Sequence, residues 1–431
     1  MFGKKLLREL YPVLPLLTLI FLLIGFNGCE NSTESNSSLV QVKGRISGMF
    51  GLPLPGVTVK AKSSSTSTDI YGRFDLGNIE APFSLALLDT FWNKCLYIPD
   101  RRSNNTGGLY VNYVSDPPGY VTSLINISYP LSVFQNCAGK SMFTDFHDRN
   151  FPGDVTSNGS TITVHMVPGT SYEGSVAVLA YAVDNNMRIT SYEKYCLKNG
   201  IVLNAGDNIN VNLTSDDFKT NSVNNTYHVS INAGTGQNVN IRYAYLTFGS
   251  RQSPNYVLNV TQEFINSDVS DIVVPGGFNF ANNVIMGYTS LSSVQNEGQT
   301  KMYFPVKGDV TVNSPQIPVL VSPLENAVIN ANTEFVFNSG FSHVENKFYK
   351  LILSEFQGTV SKYSIYEIFL DKEKFNLSEL NNLGIPSLNG RIFDWNVEVY
   401  ENISLEDYLS ESGNNFKYSA ISGNRRFSVN P

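Results

Sequence analysis

Runs of basic residues are missing from this chain: its adjacent arginines are the two isolated pairs Arg101-Arg102 and Arg425-Arg426. Phosphate binding needs clustered Lys and Arg, so the composition argues against nucleic acid as a partner. Charge of either sign is scarce, at 16% of 431 residues, and helix formers are few, which disfavours a helical cytosolic enzyme. The four histidines, His147, His165, His228 and His343, are scattered along the chain. No HExxH, no His/Cys pair at zinc spacing, no GxSxG and no P-loop occurs. The expectation is a protein that is not an enzyme and has neither cofactor nor metal.

Cysteine is also sparse: Cys29, Cys95, Cys137 and Cys196. With Cys29 assigned below to lipid, Cys95 and Cys137 are the expected disulfide because they fall in one proposed module, and three idle thiols are the alternative. What the chain has in plenty is Asn, Ser, Thr, Gly, Val, Tyr and Phe, the usage of β-rich extracytoplasmic proteins. Its length suggests about three domains.

Lys4, Lys5 and Arg8 precede an apolar stretch from Tyr11 to Phe26 that contains Pro12 and Pro15, the pattern of a secretory signal. The stretch is short of the roughly 20 apolar residues that cross a bilayer. A-x-A is absent, and small Gly28 directly precedes Cys29. Phe26-Asn27-Gly28-Cys29 resembles a bacterial lipobox, with Phe26 and Asn27 in place of the usual Leu and Ala or Ser. The resemblance implies diacylglycerol on the Cys29 thiol, cleavage before it and acylation of the new N-terminus. An uncleaved N-terminal helix and a plain secreted form are the alternatives. Several acyl chains, at ~0.8 kcal/mol per buried CH₂, hold a protein on a membrane essentially permanently. Glu30 to Ser38, free of apolar side chains, reads as a flexible tether. Loss of Lys4, Lys5, Arg8 and Glu9 with residues 1–28 takes 30 basic and 37 acidic residues to 27 and 36, a net of −9.

From Leu39 the periodicity is that of strands. Val40, Val42, Gly44 and Ile46 alternate, a Gly/Pro turn follows, Val57, Val59 and Ala61 alternate again, and Asp69 to Gly72 has turn chemistry before Phe74 and Leu76. Val42 to Ile79 resembles the carboxypeptidase regulatory-like, transthyretin-like β-sandwich, matching its pattern at Gly44, Pro53, Leu54, Gly56, Val57, Val59, Thr68, Asp69, Gly72 and Phe74. The resemblance implies an accessory module without metal ligands, often found on outer-membrane proteins. Ser160 to Gly169 is the expected closing strand, leaving residues 99–157 as a long Asn/Gly/Pro-rich insertion with strands of its own or a misplaced boundary.

Strand patterns continue through residues 170–312 with turn signals between them, suggesting a second sandwich without a family signature. From Pro315, segments such as "TEFVFNS", "FYKLILSE" and "RIFDWNVEVYE" resemble fibronectin type III-like domains of bacterial envelope proteins. Phe393, Trp395, Val397 and Val399 are expected on one face. "DKEKFNLSELNNLGI" reads as a short helix or loop between strands. The expected architecture is all-β, as tandem antiparallel sandwiches: signal 1–28, tether 29–39, and modules 40–168, 169–312 and 313–431.

Few residues invite chemistry. Asp145, His147 and Asp148 stand together, but a solvated polar loop is the commoner origin of such a cluster. Asp184 and Asp216-Asp217 lack calcium-loop spacing and read as turns, and "GTGQN" at Gly234 lacks a dinucleotide loop's third glycine. Trp92, Tyr243 and Tyr245 are the candidate ligand platform, whereas Trp395 is expected in the core. The functional expectation is a lipid-anchored envelope protein, with the outer membrane its location, that binds, adheres or scaffolds. Its expected partners are the membrane, through the lipid, and an outer-membrane protein or an extracellular glycan. A glycan-binding lipoprotein serving a polysaccharide transporter and a hydrolase without signature, sited in residues 170–312, are the rivals.

Overall fold

The structure is a computed structural model that describes residues 38–430 apart from 48–52, 90–93, 103–104, 111–118, 136, 147–149, 154–158, 186–187, 233–236, 248–261, 264–268, 278–283, 293–296, 306–307, 341–345, 357–362, 384–387 and 410–417. Its compact body starts at Leu39, and it is all-β, as the alternation predicts. Among the described residues α-helix is confined to Leu405–Leu409, and no helix is long and apolar enough to cross a membrane.

The N-terminal strands form as their patterns predict. Leu39–Ser47 buries Val42 and Ile46 and pairs antiparallel with Arg73–Glu80. The turn before the second strand is closed by its own side chains. The Thr68 hydroxyl donates to the Leu54 carbonyl at 2.5 Å and accepts the Val57 N–H at 2.9 Å, while Asp69 accepts the N–H groups of Tyr71 and Arg73, each at 2.8 Å. Gly72 has φ +73°, and a Cβ there would overlap the Ile46 carbonyl oxygen, so glycine is required. Thr58–Ala61, Phe83–Asp89 and Lys94–Arg101 make the facing layer.

That layer continues into the C-terminal third. Lys94–Arg101 pairs parallel with Tyr363–Leu370, with Cys95 opposite Tyr366 and Tyr97 opposite Ile368. Tyr363–Leu370, Lys347–Glu355 and Ile392–Glu401 follow in antiparallel order, then Tyr418–Ser422 and Glu297–Pro305. A small sheet of Val319–Ser322, Glu334–Asn338 and Lys374–Asn376 contributes Leu320, Phe335, Phe337 and Phe375 to a core with Trp395 and Phe427. Trp395 is fully buried, with its ring edge-on to Phe335 at 5.1 Å between centroids. The segment read as helix or loop is the strand Lys374–Asn376 followed by a 3-10 helix, Leu377–Leu383.

The middle of the chain is a separate sandwich. Val121–Ser128 lies between Gly159–Met166 and Asn208–Asn212, facing a five-stranded sheet built on Ser171–Val183 and Ile189–Asn204. In Ser171–Val183, Val176 and Val178 point into this core while Ala177 and Leu179 pack on Val229, Ile231 and Ile272 of the next sheet. Burial on both faces explains why that strand is a continuous apolar run.

Three expectations are corrected. Ser160–Gly169 does not close the N-terminal sandwich, because Gly159–Met166 pairs with Val121–Ser128 and its inward residues Ile162, Val164 and Met166 belong to the middle core. Residues 40–168 and 313–431 are not separate modules, because Val42, Ile46 and Ile98 share one core with Phe348, Phe369 and Tyr400. Cys95 and Cys137 are not bridged: both are free, as is Cys196, and the first packs with Tyr366 and Trp395 while the second packs against the middle core. Burial pushes the Cys95 thiol up to about 12 and the Cys196 thiol up to about 11, which makes both poor nucleophiles.

Candidate functional site

Several predicted positions lie outside the described residues: Cys29, Trp92, His147, Asp148, Gly234 and His343. Tyr243 and Tyr245 sit on the strand Asn238–Thr247, opposite Tyr288 and Met286. Asp145 is on Gly139–Phe146. The aspartates read as turns are turns. Asp184 accepts the Arg188 N–H at 2.9 Å, and Asp217 accepts the Thr214 N–H at 2.7 Å in a capping box around the 3-10 turn Ser215–Asp217. Among the described residues no group of three or more His, Cys, Asp or Glu could hold a metal.

The structure instead draws attention to a cleft of about 360 Å³ lined by Lys62, Pro82, Phe83, Ser84, Tyr97, Asp100 and Glu379. Its wall comes from the β-turn after Thr58–Ala61, the start of Phe83–Asp89 and the end of Lys94–Arg101. Glu379 arrives from the 3-10 helix Leu377–Leu383, brought there by the parallel pairing of the two ends of the chain. Phe83 and Tyr97 are both buried, and Tyr97 packs on Phe375 with ring centroids 5.9 Å apart.

The Tyr97 hydroxyl donates to Ser84 Oγ at 3.2 Å. Burial pushes its pKa up; Ser84 opposes this, and the carboxylates of Glu379 and Asp100 reinforce it. Lys62 and Asp100 have φ of 49° and 52°, a left-handed backbone that non-glycine residues seldom adopt. The Lys62 ammonium lies 3.5 Å from Glu80 Oε2. Carboxylates that accept, an ammonium that donates, and an apolar floor of Pro82 and Phe83 suit a small polyhydroxylated ligand. The cleft is at the lower end of the usual ligand-site range of roughly 300–1,000 Å³. Sequence reasoning missed it because Glu379 and Asp100 are distant in sequence; an aspartate ending an apolar strand was the one local signal.

A second cluster is internal. Lys94 Nζ is 2.9 Å from Glu367 Oε1, and Lys350 Nζ is 2.8 Å from Glu398 Oε2 and donates to the Tyr400 hydroxyl at 3.2 Å. Burial alone would raise the Glu367 carboxyl, but Lys94 and Lys350 outweigh it and hold it below the ordinary value. These charges are matched inside the sheet, each ammonium against a carboxylate, which offsets the cost of burying them.

No family model matches this chain, and no curated protein matches it. Among solved structures it is similar to the TIE protein of Bacillus anthracis, at 11% identity over 64% of this chain and 50% of that one, with a TM-score of 0.15. This chain therefore spans 50% of the TIE protein's length. It is also similar to an adhesin candidate from Bacteroides ovatus, at 9% identity, 44% of this chain, 89% of that one and a TM-score of 0.16. A third is SGBP-B of the Bacteroides ovatus mixed-linkage glucan utilization locus, solved with a mixed-linkage heptasaccharide, at 9% identity, 93% and 97% coverage and a TM-score of 0.13.

Proposed function

We propose that this chain is a lipid-anchored protein of a bacterial outer membrane that binds or scaffolds without catalysis. The observation that carries this reading is the apolar run stopping at Gly28-Cys29, then a tract without apolar side chains up to Leu39, where the compact body starts. A tether of about ten residues reaches at most about 35 Å, which keeps the body beside the membrane. The resemblance of Val42–Ile79 to an accessory module supports the same reading. Replacing Cys29 with Ser tests it. The variant is expected without acyl mass, either at its unprocessed mass or released to the soluble fraction by cleavage elsewhere, and wild type in the membrane fraction with added acyl mass. Membrane retention of Cys29→Ser at the mature mass would overturn the anchor.

The cleft favours a second, narrower reading, capture of a glycan. Retardation of the detergent-solubilised protein in gels containing a neutral polysaccharide, lost on Asp100→Asn with Glu379→Gln, is the expected result. Asn suits the left-handed backbone at position 100, so the change removes charge without straining the fold. Release of reducing ends from the polysaccharide would overturn the non-catalytic reading. Retardation unchanged in the double variant would move the site elsewhere.

A further inference from the structure

Asn208–Asn212 is the last strand of its three-stranded sheet, paired parallel with Val121–Ser128 on one side. Val211 is buried and Ile209 packs against the same core, while Asn208, Asn210 and Asn212 are exposed. The Leu124 N–H donates to the Asp207 carbonyl and the Leu213 N–H to the Ser128 carbonyl, both at 2.8 Å. Alternation along the strand then turns the backbone N–H and C=O of Ile209 and Val211 toward Val121–Ser128 and those of the three asparagines away from it. The outward-facing groups have no partner among the described residues.

Natural sheet edges are blunted by shortness, by Lys or Pro, by a bulge or by a covering segment, and at five residues this strand is short. This strand has no charge and no proline, and its register runs without a shift. Its outer face carries a ladder of polar side chains that stops at the edge. Thr161 donates to Asn126 Oδ1 at 2.9 Å, Asn126 Nδ2 donates to Asn208 Oδ1 at 2.6 Å and to Asn210 Oδ1 at 3.2 Å, and Ser128 donates to Asn212 Oδ1 at 2.6 Å. The three edge asparagines thus spend their side-chain oxygens inward and keep their amide N–H groups.

Reversed, the strand Asn-Ile-Asn-Val-Asn keeps asparagine at every second position and only exchanges Ile with Val. A two-fold axis normal to the sheet at Asn210 sets Asn210 against Asn210 of a second copy, Asn208 against Asn212, and Ile209 against Val211 on the core side. We propose that Asn208–Asn212 pairs antiparallel with the same strand of a second copy, extending the sheet across this axis. The pairing is isologous. The strand itself carries no charge, which matters where two chains of formal net charge −7 approach each other.

Five residues a side make a weak pair, so covalent trapping tests it. The full-length protein carries Cys137→Ser, and this parent sets the background. Facing residues of an antiparallel pair have Cα atoms about 4.5–5.5 Å apart, inside the disulfide range of about 4.4–6.8 Å. Under mild oxidation Asn210→Cys is expected to give at least roughly tenfold more disulfide dimer than the parent. Asn208→Cys and Asn212→Cys, each about 13 Å from its own counterpart, are expected to give none alone and a dimer when mixed. Adding Asn210→Lys to the mixed pair puts like charges on the axis and is expected to abolish that dimer. A monomeric Asn210→Cys, or equal dimer from all three single cysteines, would overturn the proposal.

Discussion

Glu401 ends the strand Ile392–Glu401 with 8% of its surface exposed and with Oε1 buried without a hydrogen-bond partner among the described residues. Burial pushes its carboxyl from the ordinary 4.5 to about 7, with Lys347 pulling weakly the other way. The folded state therefore keeps a proton that the unfolded chain releases. Stability is greatest below about pH 4.5 for this group, falls as pH rises toward 7, and stays reduced above it. Glu401→Gln removes the titration while keeping the shape. Its melting temperature is expected to match wild type at pH 5 and to exceed it at pH 8, a divergence that scanning calorimetry at the two pH values would detect. At Gly72 the constraint is steric. Ala must hold φ +73° and displace the Ile46 carbonyl, at a cost of more than about 2 kcal/mol, from left-handed strain of about 1–2 kcal/mol plus overlap. Urea denaturation of Gly72→Ala measures it, and Gly56→Ala, with open space around its Cβ, is expected to lose less.

Strands were legible wherever one face is buried and the other wet. Val42 and Ile46, and Val57 and Val59, announce themselves by alternation, and the side chains of Thr68 and Asp69 announce the turn between; the run from Phe393 to Val399 alternates in sequence although Asp394, on its polar side, is buried as well. Val176–Ala180 gave no alternation because both its faces are covered, and Lys374–Asn376 was too short to show a period. What no local pattern revealed was the partner of Lys94–Arg101. That strand opens on Lys94, paired to Glu367 across the parallel seam with only 7% and 9% of the two side chains exposed. Removing one member leaves the other charged and buried, so Lys94→Met is expected to cost on the order of 3 kcal/mol, and Lys94→Met with Glu367→Leu to recover most of it. Chemical denaturation of the two variants decides the matter. A double variant as unstable as the single would mean the pair is needed to set the seam's register rather than merely tolerated there.

Whole-molecule organisation was the least legible level, because tandem sandwiches leave the same strand periodicity whether or not strands far apart in the chain are sewn together. The candidate cleft shares this origin, since its Glu379 and Asp100 meet only through that seam. The physical consequence is cooperative. Val42, Ile46, Val59 and Ile98 pack with Phe348, Phe369 and Tyr400, the last stacked on Phe348 at 4.6 Å and 5°. Large aromatics bury roughly 150–250 Å² each, worth about 4–6 kcal/mol apiece at ~25 cal/mol per Å², so three of them rival the 5–15 kcal/mol that holds a whole domain folded. A chain stopped at Asn313 would lose all three. Its residues Leu39–Arg101 are therefore expected to lose the amide protection they have in the full protein. The middle sandwich should keep its protection, because among the described residues its core takes nothing from beyond Phe218. Hydrogen exchange read by mass spectrometry on both chains separates the regions peptide by peptide. Protection retained in Leu39–Arg101 after truncation would show that the N-terminal strands form a self-sufficient module, and the seam would then be a docking surface between finished domains.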